Sequence, residues 1–253
     1  MNFKIFKKII SLFVILTTTH VYADNLPDSL FGVKMFDSIN NYEVTEKYEQ
    51  KFRDGTRSRD WYVLKNVPNP NDAFSYYHAL TNPNDDKIVS ARGNIRYTED
   101  KTSIGIIKSS PNVVLLCADR YLPKYVSALS NAWQIREVKF SDPEIRIYGK
   151  EIPENLKKGF SFNLIRELNF KKNNINMIAR VQCNYQYFAS GDTVEGGETT
   201  MIPFIRSDLW IKIMTEEYIK NWNKKSPPTK VYKNITVGNF IRQLSEGVST
   251  EGF

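Results

Sequence analysis

Histidine occurs only at His20 and His78 in the 253 residues, and cysteine only at Cys117 and Cys183. These shortages exclude much familiar chemistry. A Cys/His zinc site needs four ligands, and a two-histidine, one-carboxylate iron centre needs two histidines together. The sequence has no His-x-Asp, no helical metalloprotease pattern, no Ser-x-x-Lys, no glycine-rich phosphate loop and no dinucleotide fingerprint. Long apolar runs are also missing. The longest, Ile9 to Leu16, falls short of the roughly 20 residues that span a bilayer. No integral membrane span is therefore expected in the mature chain.

The first 23 residues have the pattern of a secretory leader. Lys4, Lys7 and Lys8 precede the apolar run, no acid occurs before Asp24, and Val21-Tyr22-Ala23 supplies a cleavage site. Cleavage after Ala23 is expected, giving a periplasmic or secreted protein. Losing the leader removes three of the charges behind the formal net +7, leaving 32 basic residues against 28 acidic. The remaining charges are interspersed, as in Lys65, Lys87, Arg92 and Arg96 among Asp72, Asp85, Asp86 and Glu99. With no basic arm, nucleic acid is not an expected partner. The leader also takes His20, so His78 is the mature chain's one histidine.

Cys117 and Cys183 both remain. In an oxidising compartment an even pair of thiols ends as a disulfide, so a structural Cys117–Cys183 bridge is expected.

Two segments alternate with period two. Val89, Ala91, Gly93, Ile95 and Tyr97 oppose Ser90, Arg92, Asn94 and Arg96; Met177, Ala179, Val181, Cys183, Tyr185 and Tyr187 oppose Arg180, Gln182, Asn184 and Gln186. Such alternation predicts half-buried antiparallel strands. Leu164 to Phe170 pairs with the second as a hairpin across Lys171 to Asn174. Shorter strands are expected at Leu30 to Phe36, Trp61 to Leu64, Gln134 to Phe140, Ile145 to Tyr148 and Met201 to Ile205, with a hairpin turn at Asp142-Pro143. Tyr42 to Arg59 has no clean period and reads as helix or loop. Helices are expected from Pro111, interrupted at Pro123 and resuming to about Trp133, with a strand over Val113 to Cys117 as the alternative; from Ser207 or Asp208 through Trp222; and over Val237 to Leu244. The fold class is α+β: antiparallel sheet with two to three helices packed on one side, as one domain over residues 24–253 or two lobes divided near Ser110.

The remaining motifs are weak. Glu195-Gly196-Gly197-Glu198-Thr199 resembles a stretch of 2-oxoglutarate-dependent iron oxygenases, but the chain lacks their metal ligands. A glycine-rich turn before a strand explains it. Gly159-Phe160-Ser161-Phe162-Asn163 begins like a nucleophile elbow but has Asn163 in place of the second glycine. Asn82 to Asp86 lacks calcium-loop spacing and reads as a solvated turn. His78, beside Tyr76 and Tyr77, reads as part of an amphipathic surface.

No cofactor, metal or catalytic residue is assigned. The expectation is an exported, non-catalytic module that binds a small ligand or an envelope component. The competing reading is a carboxylate-only hydrolase of glycan or peptidoglycan. It would draw on acids such as Asp192, Glu195 and Glu198, with Trp61, Trp133, Trp210 and Trp222 stacking on sugar rings.

Overall fold

A computed structural model describes residues 26–52, 54–96, 116–134, 139–148, 160–193, 199–233 and 235–240. Two short strands, β1 (Ser29–Leu30) and β2 (Val33–Lys34), form a small hairpin. The other nine build one antiparallel sheet: β3 (Val44–Lys51), β4 (Arg57–Leu64), β5 (Tyr76–Thr81), β6 (Ile88–Arg96), β7 (Glu144–Tyr148), β8 (Phe160–Lys172), β9 (Ile175–Thr193), β10 (Thr199–Thr215) and β11 (Lys230–Lys233). Their spatial order is β11-β7-β8-β9-β10-β6-β5-β4-β3. Two four-stranded meanders, β3 to β6 and β7 to β10, thus join through their last strands.

The expected antiparallel sheet is present and dominates. Its helices do not share one side. Helix α1 (Leu122–Ala132) buries Leu122, Tyr125 and Val126 in the main core, with Val181, Cys183, Leu209 and Ile211. Helix α2 (Glu216–Lys225) buries Tyr218 and Ile219 in a smaller cluster with Leu80, Ile178 and Met214. Ile178 and Met214 alternate with the core-facing residues of β9 and β10, so α2 lies on the opposite face.

The hairpin across Lys171 to Asn174 forms as expected. Asn173 and Asn174 take φ of 49° and 63°, the left-handed pair that a tight two-residue turn requires. Its strands run on as far as Phe160 and Thr193, well beyond the expected limits. Around Pro123 the expected interruption appears as a π-helical turn, Cys117–Tyr121, running into α1. The start of that helix, residues 111–115, lies outside the described residues.

Several expectations are overturned. Residues 44–51 and 57–59 are strand, although neither helix nor strand period is visible there. All of β3 but Gln50 is exposed at the sheet edge, so burial imposes no pattern on it. Residues 207–215 are the end of β10, and only 216–225 are helical. Leu209, Ile211 and Ile213 face the main core at period two; a strand and a helix are fused here without a loop, and their apolar residues together imitate one helical stripe. Thr215 marks the junction, its side chain accepting the Tyr218 N–H as an N-cap. Residues 139–143 carry no strand; β7 pairs with β8 and β11 instead, and residues 135–138 lie outside the described set. Of the closing helix, residues 237–240 are helical and described.

Gly93 is required by packing. A Cβ there would fall 2.7 Å from both Phe31 Cζ and Phe74 Cδ1, within a ring cluster where Phe31 and Phe74 centroids are 4.8 Å apart. Gly93→Ala is expected to destabilise the protein by about 1–3 kcal/mol through overpacking. Urea unfolding measures this, and an unchanged midpoint would show that the rings move aside freely.

Candidate functional site

Much of the polar half of each alternating strand does not face solvent. Ser90, Arg92, Asn94, Arg180 and Gln182 are all buried, on the face that α2 covers. The sheet register lines up the charges: Lys212 of β10 sits between Arg92 of β6 and Arg180 of β9, and His78 of β5 follows beyond Arg92. Arg59 of β4, in the same meander as Arg92, joins them, stacked 4.2 Å from the Trp222 ring of α2. These four cations line a half-open cavity of about 340 Å³ between sheet and helix, floored further by Asn163 and Gln182. That volume is at the lower end of small-molecule sites, about 300–1,000 Å³.

The partners of the cations decide the character of the site. Arg180 is neutralised: its guanidinium donates to Glu167, Nε at 2.7 Å, and Arg146 donates to the same carboxylate at 3.3 Å. Burial opposes ionisation of Glu167, but Arg180 and Arg146 outweigh it and hold its pKa below the ordinary value. Among the described residues the other three have only neutral hydrogen-bond partners. Arg59 donates to Gln50 Oε1. Arg92 donates to Ser90 Oγ at 3.0 Å and Tyr218 Oη at 3.2 Å. Lys212 donates to Gln182 Oε1 at 2.8 Å. Among the described residues no carboxylate forms an ion pair with Arg59, Arg92 or Lys212.

Burial therefore works against all three charges. It lowers the Arg59 pKa to about 9, and lowers that of Arg92 with added repulsion from Arg59 and Arg180. Lys212 is held well below 10.5 by burial, then by Arg92, Arg180 and Arg59, with Glu167 opposing. A guanidinium binds its proton more tightly than an ammonium, so Lys212 is the group that gives way first. Aromatic rings soften the cost. Arg92 lies 5.0 Å from the Trp61 ring and Lys212 5.3 Å from Trp210.

Sequence reasoning missed this site, and it misplaced His78. That residue is buried, its Nδ1 accepting from Trp61 Nε1 at 2.8 Å and its ring 5.3 Å from Trp210. The signal was present as a cation at the centre of the polar half of two strands. Its meaning depends on register and on α2, neither of which a single strand reveals. Lys212 was hidden further inside the apparent helix.

The other sequence candidates do not gather here. Cys117 and Cys183 form the expected disulfide, Cα atoms 5.9 Å apart and fully buried on the opposite face of the sheet. Ser161 lies in the extended strand β8, not on an elbow, and lines the cavity. Asn82 to Asp86 is a mostly exposed turn with Asn84 at φ 63°. Glu195 and Glu198 lie outside the described residues, as does the side chain of Asp192. Trp133 packs near Phe170, while Trp61, Trp210 and Trp222 surround the cationic row.

A larger groove, about 1020 Å³, runs along α2 and the neighbouring turns. Its charges are of both signs and mostly exposed, among them Asp85, Lys87, Glu217 and Lys220. Hydrogen bonds from Asn176 and Lys220 hold the Glu216 carboxyl below its ordinary pKa. It is thus an ionised surface group, unlike the protonated acid that glycosidic cleavage needs.

No known protein family, curated protein or solved structure matches this chain.

Proposed function

We propose that this protein binds a small anionic ligand in the cavity between the sheet and α2. The observation that carries the reading is the set of three buried cations, Arg59, Arg92 and Lys212, with no carboxylate paired to them among the described residues. Leaving a charge in a protein interior without a counter-charge costs several kcal/mol. Here three stand together around a cavity. An anion entering it converts that repulsion into charge-assisted hydrogen bonds, and guanidinium groups suit the planar or tetrahedral oxygens of carboxylates and phosphates. The small volume favours a metabolite-sized ligand over an envelope protein. The disulfide fits an oxidising compartment. With the leader-like first 23 residues, it supports a periplasmic or secreted protein that captures this ligand outside the cytoplasm.

The carboxylate-only hydrolase has less support. No carboxylate lines the cavity among the described residues, and Glu167 beneath it is held ionised by two arginines.

Sulfate is a suitable first probe, being a dianion with no proton of its own to exchange near neutrality. Saturable binding is expected, with stabilisation of about 2.7 kcal/mol at a hundredfold excess over Kd. The anion favours the protonated form of Lys212, so its pKa is higher in the complex than in the free protein. Between those two values binding takes up a proton, and affinity falls as pH rises through the value in the complex. The groups facing Lys212 are Arg92 from β6, Arg180 from β9, Arg59 from β4 and Glu167 from β8. Calorimetry in buffers of unequal ionisation heat is expected to show uptake in the wild type and none in Lys212→Met. Equal uptake in both would remove Lys212 from this role. The absence of saturable binding by sulfate, phosphate esters and polycarboxylates would overturn the function itself.

A further inference from the structure

The direction of the hydrogen bonds around the cavity narrows the ligand class, on the premise that the cavity binds anions. A lysine ammonium can only donate. Lys212 therefore fixes Gln182 with its Oε1 toward Nζ, at 2.8 Å. The Gln182 amide is then turned so that its Nε2 donates to Asn163 Oδ1, at 2.6 Å. Asn163 in turn has its oxygen committed and keeps its NH₂ hydrogens. The chain Lys212 to Gln182 to Asn163 thus engages every side-chain carbonyl oxygen that lines the cavity.

The cationic side chains of the lining have the same sense. Arg59 and Arg92 are donors only. The Tyr218 hydroxyl accepts from Arg92 and keeps its own hydrogen to give. Glu167, the nearest carboxylate of the network, has its two oxygens turned toward Arg146 and Arg180. What meets a ligand, among the described residues, is a lining with no carboxylate and three charges that lack a counter-charge, beside the neutral hydroxyls of Tyr148, Ser161 and Ser226.

We infer that the cavity selects an oxyanion with at least two negative charges and no cationic group, of the dicarboxylate or phosphate-ester class, and rejects zwitterions such as amino acids. An ammonium would stand among like charges with no carboxylate in the described lining to offset it, and only the neutral hydroxyls of Tyr148, Ser161 and Ser226 to accept its hydrogens. A second negative group, by contrast, meets a further unpaired cation. This separates acidic metabolites from amino acids of the same size and shape.

Matched pairs test the inference. Glutarate differs from glutamate by one ammonium, and glycerol phosphate and phosphoethanolamine differ chiefly in the same way. Titration calorimetry with the wild-type protein is expected to show the ammonium-free member binding at least about tenfold more tightly in whichever pair binds, since like-charge juxtaposition is strongly disfavoured. Lys212→Met removes a repelling charge and frees Gln182 to rotate, so the ratio is expected to shrink in that variant. Equal binding within a pair, or preference for the zwitterion, would overturn the inference and leave anion binding standing. Failure of all four compounds and of sulfate would overturn both.

Discussion

Arg92→Met is expected to make the ligand-free protein more stable and to cut its anion affinity at least tenfold. Arg92 is buried beside Lys212, with Arg180 on the next strand, and among the described residues no acid neutralises it. Its hydrogen bonds go to the hydroxyls of Ser90 and Tyr218, which tolerate the loss of a donor because each can still donate its own hydrogen. Methionine keeps much of the length and packing of the side chain without the charge. Replacing buried ions with apolar groups of similar volume stabilises proteins by about 1–4 kcal/mol in favourable cases, and a gain of about 1–3 kcal/mol is expected here. The affinity loss follows from a charge-assisted hydrogen bond, worth about 1.5–3 kcal/mol. Urea unfolding without anion and calorimetry with sulfate read the two effects separately. A variant less stable than wild type would mean that the charge is compensated in a way the geometry does not show. Sites organised for binding often carry this conflict between stability and activity.

Removing the disulfide is expected to have the largest effect on stability. Cys117 and Cys183 are 66 positions apart and enclose α1, β7, β8 and the first part of β9. Loop-closure entropy for that separation amounts to about 4 kcal/mol, an upper figure because unfolded chains keep some structure. The bridge fastens the π-helical turn before α1 to one of the sheet's central strands. Cys117→Ala with Cys183→Ala, or reduction of the wild type, is expected to lower the urea midpoint by most of that amount. A shift below about 1 kcal/mol would show that the enclosed segment is already confined when unfolded.

Much of the sheet was legible and little of the site was. The β8–β9 hairpin could be read because asparagines in the left-handed conformation punctuate two strongly patterned strands. The disulfide could be read because two cysteines permit one pairing. Strand β3 carried no pattern, since an exposed edge rewards neither period. The junction at Thr215 was invisible for a different reason: Leu209, Ile213, Tyr218 and Trp222 fall near helical spacing although a strand ends between them. At the site the difficulty lay in the rule itself. Alternation shows that two faces differ, and a polar face is ordinarily the wet one. Here α2 covers it, and Arg92, Arg180 and Lys212 become meaningful only when three strands are placed in register.

The arrangement of two helices on opposite faces has a practical corollary for mutagenesis. Along each central strand neighbouring residues belong to different layers: Ala91 and Arg92, Val181 and Gln182, Ile211 and Lys212. The first of each pair sits in the α1 core, and its substitution will be felt mainly as an unfolding midpoint. The second belongs to the cavity, and its substitution will be felt as an affinity as well as a midpoint. The layer that a variant reports on therefore switches with each residue along the strand, as it does from Leu209 to Met214 in β10.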